Sequence, residues 1–217
     1  MQKLKNEKVI RAYSVEMRAQ VLDDNTKEIS GYAAVFGDVA DIYGYYDEVI
    51  ARGAFDGCKF RDVILCINHD TEKIPLARSR NNTPNSTLQL TVDERGLFVR
   101  AKLDTERNAD AAALYSAVER GDMAGMSFIF SVADEEWENM DSDKPKRTIT
   151  RIAEVYEVTA ATFPFYEATS LDARGKELLE SDLKALESAR NAEKNALESA
   201  KVERMRKLYK TRAKLKI

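Results

Sequence analysis

The chain has 217 residues, of which 44% are hydrophobic and 33% are charged, and its formal net charge is −3. This composition predicts a soluble globular protein made of one domain plus an appendage, or of two small domains. The small net charge excludes an overall bias toward nucleic acid, and no apolar run approaches the roughly 20 residues of a membrane span. We also expect no export signal, since the first residues lack an apolar signal region.

The cysteine and histidine content makes disulfide bonds and a zinc site unexpected. Without an export signal, Cys58 and Cys66 are expected to be reduced thiols in a cytoplasmic setting. His69 is the single histidine of the chain, and it does not share the spacing of zinc ligands with the two thiols. We therefore expect no metal site and no cofactor.

Alternating or continuously apolar segments predict strands through most of the chain. A turn at 23–26 joins the first two of them into a hairpin. Residues 37–46 have no period and predict a loop, and the acidic, irregular segment 134–146 predicts an exposed loop. The predicted strands, in chain order, are 9–22, 28–36, 48–58 (short, passing into a turn), 62–68, 74–79, 87–92, 96–103, 123–133 and 148–163.

A single helix interrupts these strands, over residues 108–120. Gly121 follows it as the expected carboxy-terminal cap. Many short strands joined by turns, with about one substantial helix, predict a strand-rich α+β fold built as a barrel or a sandwich. The apolar residues of the helix are spaced three and four apart on one face: Ala111, Leu114, Tyr115 and Val118.

The composition changes at residue 172. From there to residue 217 the chain holds 13 Lys+Arg against 8 Asp+Glu, and Tyr209 is its one aromatic residue. The segment ALESAR at 185–190 recurs as ALESAK at 196–201, an offset that returns to the same helix face. These features predict one long helix over about 175–212, although its thin Leu/Ala stripe leaves a coiled coil, a solvated helix and a disordered tail as alternatives.

The strand that follows Gly125 contains a candidate nucleophile. Its apolar side chains alternate, so Ser127 must face away from them, and it is either a reactive hydroxyl or an ordinary strand serine. His69 ends a buried strand and is either a hydrogen-bonded structural residue or a general base. If Ser127 is a nucleophile, His69 is the one imidazole that can activate it. The alternating apolar set is Met126, Phe128, Phe130 and Val132.

A carboxylate must hold that base in its tautomer, since the chain has no second histidine. Glu157 and Glu154 are the candidates, on opposite faces of the predicted strand 148–163. A carboxylate in such a strand costs free energy unless it is paired, so a salt bridge with Arg147 or Arg151 is the structural alternative. The aspartate adjacent to the histidine ranks lower, because neighbouring strand residues point apart.

The chain resembles the prohead maturation protease family of tailed bacteriophages over about residues 10–170. This resemblance implies a β-barrel surrounded by helices, related to the herpesvirus assembly proteases. It maps the family's catalytic residues onto His69, Ser127 and Glu157, and the chain has Pro164-Phe165 where the family commonly has Pro-Ala. The motifs that carry the resemblance are GYAAVF at 31–36, YDEVIARGAF at 46–55, NHD at 68–70, LFVRA at 97–101, GMSF at 125–128, EVT at 157–159 and FP at 163–164.

The resemblance also implies a function and partners. The expected activity is a serine endopeptidase, residues 1–171, that cuts the scaffolding segment of the major capsid protein, and itself, inside the procapsid in the host cytoplasm. Residues 172–217 are expected to be a charged helical extension for targeting or assembly, and its removal by self-cleavage stays open. Neither nucleic acid nor a membrane is expected as a partner, and self-association into a homo-oligomer stays open. The alternatives are a non-enzymatic capsid scaffold protein and, less favoured, a hydrolase of small esters.

Overall fold

The computed structural model describes residues 8–13, 17–162 and 173–214. The chain divides into two compact units, residues 1–171 and 172–217. Among these described residues, the first unit contains eleven strands and one helix, and the second contains one long helix. The predicted roles of the two units, protease and targeting extension, stay predictions.

The first unit is rich in strands, as predicted, and mixes them with a helix. The strands are β1 (Lys8–Tyr13), β2 (Arg18–Val21), β3 (Lys27–Val35), β4 (Val39–Ile42), β5 (Tyr46–Ile50), β6 (Asp62–Ile67), β7 (Ala77–Arg80), β8 (Leu88–Val92), β9 (Gly96–Leu103), β10 (Gly125–Glu138) and β11 (Lys146–Ala161). Helix α1 spans Ala109–Glu119 and lies between β9 and β10. The α+β class is therefore confirmed.

The strands belong to two sheets. The seven-stranded sheet has the order β1-β10-β11-β5-β4, and β6 pairs with β11 and with β7. The four-stranded sheet has the order β2-β3-β9-β8. Strand β11 runs parallel to β5 at one end and to β6 at the other, and it is antiparallel to β10 along its length. Strand β11 therefore lies between β10, which carries Ser127, and β6, which ends two residues before His69.

Both sheets contribute to one hydrophobic core. Leu97 and Val99 from the smaller sheet and Phe128 and Val155 from the larger sheet belong to the same buried cluster, together with Leu114 of α1. Within residues 8–13 and 17–162, however, the two sheets are separate hydrogen-bonded networks. The predicted closed barrel is therefore not found, because shared apolar burial rather than continuous strand pairing joins the two sheets.

Helix α1 forms as its sequence predicts. The Asn108 side chain accepts hydrogen bonds from the backbone N–H of Asp110 and Ala111 at 3.0 and 3.2 Å, which caps the first turn. The apolar residues of the predicted face are buried. Gly121 follows the last turn at φ 79°, a left-handed conformation that suits glycine.

Three predicted segments are corrected. Segment 134–146 is a loop only over residues 139–145, because β10 continues to Glu138 and forms a long hairpin with β11. Ion pairs across this hairpin stabilise its charged strands: Asp134 bonds Arg151 at 2.6 Å, and Glu135 pairs with Arg147. The predicted strand 9–22 is two strands in different sheets, and the predicted loop 37–46 contains β4.

The second unit is helix α2, Ala173–Lys214, which agrees with the predicted long helix. Its 42 residues correspond to a length of about 63 Å. Residues 190–211 are exposed throughout. None of the helices in the described part of the chain combines the length and apolar character required to span a membrane.

Candidate active site

Ser127 is the third residue of β10, and its neighbours on both sides are strands. It pairs with Ala12 of β1 and with Thr159 of β11 in the two antiparallel ladders. The residue is fully buried, although its side chain is a hydroxyl. A buried hydroxyl requires hydrogen-bond partners, and the structure provides them.

His69 lies immediately after β6, in a turn with an unusual backbone. Asn68 and His69 have φ values of 49° and 58°, so two consecutive residues without glycine's freedom are left-handed. Hydrogen bonds to β11 hold this turn: the Asn68 N–H donates to the Ala160 carbonyl at 3.1 Å and the His69 N–H donates to Thr159 Oγ1 at 3.1 Å. The Asn68 side chain also accepts from the Thr162 N–H at 3.0 Å. The turn directs the imidazole toward Ser127.

A continuous hydrogen-bonded chain links Ser127, His69 and Glu157. His69 Nε2 lies 2.7 Å from Ser127 Oγ, and His69 Nδ1 lies 2.9 Å from Glu157 Oε2. The other carboxylate oxygen, Oε1, accepts a hydrogen bond from the Thr159 hydroxyl. All four side chains are buried, and His69 and Glu157 are 4% and 2% exposed. The structure thus brings together the three residues that the sequence analysis selected.

The carboxylate determines which nitrogen of the imidazole is protonated. An ionised Glu157 can only accept hydrogen bonds, so Nδ1 carries the hydrogen and Nε2 presents a lone pair to Ser127. The Ser127 hydroxyl has one proton and two acceptors within reach, since the Arg11 carbonyl oxygen lies 2.9 Å from its Oγ. The arrangement therefore suits removal of a proton from Ser127 by His69, with the Arg11 carbonyl as a competing acceptor.

The other candidate glutamate lies elsewhere. Glu154 accepts two hydrogen bonds from the Arg61 guanidinium, at 2.7 and 2.6 Å, and this pairing holds the pKa of the Glu154 carboxyl below its usual value. Neither of the arginines proposed as structural partners pairs with the candidate glutamates, since Arg147 bonds Glu48 at 3.0 Å and Arg151 bonds an aspartate. Of the two glutamates, the structure therefore brings only Glu157 to the imidazole.

A thiol lies beside this site. Cys66 pairs with Thr159 in the β6–β11 ladder and is buried. Burial, with the charge of Glu157 as a second cause, raises the pKa of the Cys66 thiol to about 12. The thiolate is the nucleophilic form of cysteine, so Ser127, with its hydrogen-bonded imidazole, is the better candidate nucleophile.

Three contributors to the site were missed by the sequence analysis: the Thr159 hydroxyl, the Asn68 side chain and the Arg11 carbonyl. Thr159 carried a signal, because it lies two residues after Glu157 and therefore on the same face of a strand. Asn68 carried a weaker one, since asparagine tolerates the left-handed conformation better than most residues. The Arg11 carbonyl carried none, because a backbone group depends on strand pairing and not on residue type.

Comparisons with known proteins identify the family of the chain. The profile of the family described as caudovirus prohead serine protease matches residues 13–183. The prohead protease of Enterobacteria phage HK97 is 32% identical over 146 residues, which cover 66% of this chain and 58% of that protein. A solved structure, the capsid assembly protease of bacteriophage T4, matches 70% of this chain and 97% of its own at 7% identity, with a TM-score of 0.39. Because the family profile covers well over half of the chain, the chain belongs to the caudovirus prohead serine proteases.

Proposed function

We propose that this protein is a serine endopeptidase that cleaves the scaffolding segment of the major capsid protein, and itself, during maturation of a phage capsid. The observation that carries the proposal is the hydrogen-bonded chain Ser127–His69–Glu157, at 2.7 and 2.9 Å, in a member of the prohead serine protease family. Membership of the family supports the peptidase activity, and the hydrogen-bond geometry supports the role of each residue.

The proposed reaction is acyl transfer in two halves. Ser127 Oγ attacks the carbonyl carbon of the scissile peptide bond while His69 Nε2 takes the hydroxyl proton. Glu157 keeps the hydrogen on Nδ1 and stabilises the imidazolium that forms. His69 then gives its proton to the leaving amine, which leaves an ester on Ser127. In the second half a water molecule gives a proton to His69 and attacks the ester carbonyl. His69 then returns that proton to Ser127 Oγ as the acyl–oxygen bond breaks, which releases the new carboxyl end and restores the free serine.

We infer the place and partners of the reaction from the family. The capsid protein, through its scaffolding segment, is the proposed substrate, and the interior of the assembling procapsid in the host cytoplasm is the proposed location. A second copy of the chain is also a substrate when the protein cuts itself. We further propose that the first unit shares its fold with the herpesvirus assembly proteases, supported by two sheets around one core.

Cleavage that depends on Ser127 is the direct test. The purified full chain is incubated with the capsid protein of its own phage, and the products are followed by gel electrophoresis and mass spectrometry. Ser127→Ala should remain folded and should stop cleavage of both the capsid protein and the chain itself. Ser131→Ala is the matched control, because Ser131 is buried on the same strand but bonds Tyr156 at 3.2 Å. This control should cleave as the wild type does.

The same experiment separates the proposal from its rival. If the wild-type chain cuts nothing and still promotes shell assembly, the protein is a non-enzymatic scaffold. If Ser127→Ala cleaves normally, the activity belongs to another residue. Circular dichroism of the variant establishes that a loss of cleavage does not come from unfolding.

A separate experiment tests the role of residues 172–217. Their net positive charge and the exposure of residues 190–211 support docking to an acidic or complementary surface inside the shell. A chain that ends at residue 171 should keep its peptidase activity but be packaged into proheads at a reduced level. Packaging at the full level would show that the extension has another role.

A further inference from the structure

We propose that Thr159 is a positioning residue of this site, which aligns the base and the acid through one hydroxyl group. The inference rests on the proposed function, since it assigns a role in the same reaction. It goes beyond the three family residues, because it names a fourth side chain on which their geometry depends.

Thr159 lies at the meeting point of three strands. It pairs with Ser127 of β10 on one side and with Cys66 of β6 on the other. Its side chain is fully buried. Since β6 leads directly into His69, Thr159 is adjacent both to the strand of the candidate nucleophile and to the strand that positions the base.

The hydroxyl of Thr159 makes two directed hydrogen bonds. It accepts from the His69 backbone N–H at 3.1 Å, and it donates to Oε1 of Glu157. A hydroxyl has one proton and two lone pairs, so both bonds can form at the same time. Hydrogen-bond donation therefore runs from the His69 amide to the Thr159 hydroxyl, and from that hydroxyl to the Glu157 carboxylate.

These two bonds fix different parts of the catalytic geometry. The bond from the His69 N–H holds the left-handed turn at φ 58°, which sets the position from which the imidazole extends. The bond to Oε1 fixes the rotamer of Glu157, so that Oε2 remains directed at Nδ1 at 2.9 Å. Because a displacement of about 1 Å in a reacting group can cost about 100-fold in rate, holding both groups matters to the reaction.

Thr159 acts through other residues and is not itself catalytic. In the described contacts, its hydroxyl bonds the His69 backbone and the Glu157 carboxylate, and not Ser127 Oγ or the imidazole ring. Its role is therefore to keep the Nδ1–H tautomer in place and to keep the ring aligned. That role predicts a loss of kcat with little change in KM.

Thr159→Val tests the proposal, because valine keeps the branched shape and loses the hydroxyl. Thr159→Ser should restore function, since it keeps the hydroxyl. Thr148→Val, on the same strand and opposite Glu136, is the matched control. The full-length variants are compared by kcat and KM on the capsid protein, and by their rate of inactivation with diisopropyl fluorophosphate. In that reaction Ser127 Oγ bonds phosphorus, fluoride leaves and His69 takes the proton.

Thr159→Val should lower kcat and the inactivation rate about 10- to 100-fold, with KM nearly unchanged. Thr159→Ser and Thr148→Val should stay close to the wild type. Nitrogen NMR of the imidazole gives an independent readout, because His69 is the single histidine of the chain. The wild type should show the Nδ1–H tautomer, and Thr159→Val should show a mixture of tautomers.

The outcomes separate this inference from the proposed function. If the wild type neither cleaves capsid protein nor reacts with the fluorophosphate, the proposed function fails. If the wild type reacts and Thr159→Val matches it in rate and tautomer, the positioning role is wrong. If Thr159→Val does not fold, NMR of the wild-type protein provides the test. A slowly exchanging Thr159 hydroxyl proton close to the His69 amide supports the positioning role. The absence of such a proton overturns it.

Discussion

The backbone carbonyl oxygen of Arg11 lies 2.9 Å from Oγ of Ser127, although 116 residues separate the two in the sequence. The β1–β10 ladder causes this approach, because it places Ala12 opposite Ser127. The guanidinium of Arg11 donates to both carboxylate oxygens of Glu48, and both of these side chains are buried. Arg11 therefore anchors its strand with its side chain and meets the candidate nucleophile with its main chain.

This ion pair yields a prediction about stability. Arg11→Met should lower the free energy of unfolding by about 3 kcal/mol, because removing one partner of a buried pair leaves the other charge poorly compensated. Arg147 still bonds Glu48 at 3.0 Å, which limits the loss. Urea denaturation measures it. Arg78→Met, which breaks an exposed pair with Asp62, should cost much less, and equal losses in the two variants would contradict the interpretation.

The left-handed turn before the imidazole yields a second prediction. Asn68→Ala should be less stable than Asn68→Gly by about 1 kcal/mol, because alanine resists a positive φ and glycine does not. Both variants lose the side-chain bonds to Thr162 and should lower the rate of cleavage. Asn25→Ala is the control, since Asn25 has φ 64° in the turn between β2 and β3. Asn25→Ala should be less stable in urea and should cleave at the wild-type rate. If Asn68→Gly also cleaves at the wild-type rate, the Asn68 side chain is not needed for the reaction.

Much of this architecture follows from local sequence. Helix α1 was predicted within one residue at either end, because its apolar face and its terminal glycine agree. The strand 62–68 was predicted from continuous apolar residues, and it places His69 at its end. The long hairpin was not predicted, since segment 134–138 is mostly acidic and lacks a continuous apolar face, while its ladder and its ion pairs depend on the partner strand β11.

The site was predictable only in part, because its geometry also depends on which strands pair. The strand pattern and the single histidine made Ser127 and His69 candidates with ordinary structural alternatives, and the family resemblance selected them. The choice of Glu157 over Glu154 depended on which strand lies beside β11, and residues alone left it open. Here β6 pairs with β11 from Glu157 onward, while Glu154 meets Arg61. Pairing between distant segments therefore supplied what the local sequence lacked.

The two glutamates yield a third prediction. Glu157→Gln should reduce kcat by about 10³- to 10⁴-fold, because an amide no longer fixes the Nδ1–H tautomer or stabilises the imidazolium. Glu154→Gln should change kcat less than about twofold, since its carboxylate bonds Arg61 away from the imidazole. Capsid-protein cleavage by both variants measures the difference. A larger loss in Glu154→Gln would transfer the third catalytic role to that residue.

The buried thiol beside the site yields the last prediction, which also tests the identity of the nucleophile. Burial, followed by the charge of Glu157, raises the pKa of the Cys66 thiol to about 12. At about pH 8, near the ordinary pKa of a thiol, the native protein should therefore hold almost no Cys66 thiolate and should resist iodoacetamide. The same reagent should modify both cysteines once the chain is unfolded in urea.

The charge of Glu157, the second cause of the raised Cys66 pKa, predicts the direction of a further change. Glu157→Gln removes a negative charge that disfavours the thiolate, so alkylation of native Cys66 should become faster in that variant and not slower. Mass spectrometry of the modified peptide distinguishes Cys66 from Cys58, whose own pKa burial also raises to about 12. Rapid alkylation of Cys66 in the wild type, accompanied by loss of cleavage, would make the thiol a rival nucleophile. Slow alkylation with cleavage intact leaves the nucleophilic role to Ser127, where the imidazole is already hydrogen-bonded.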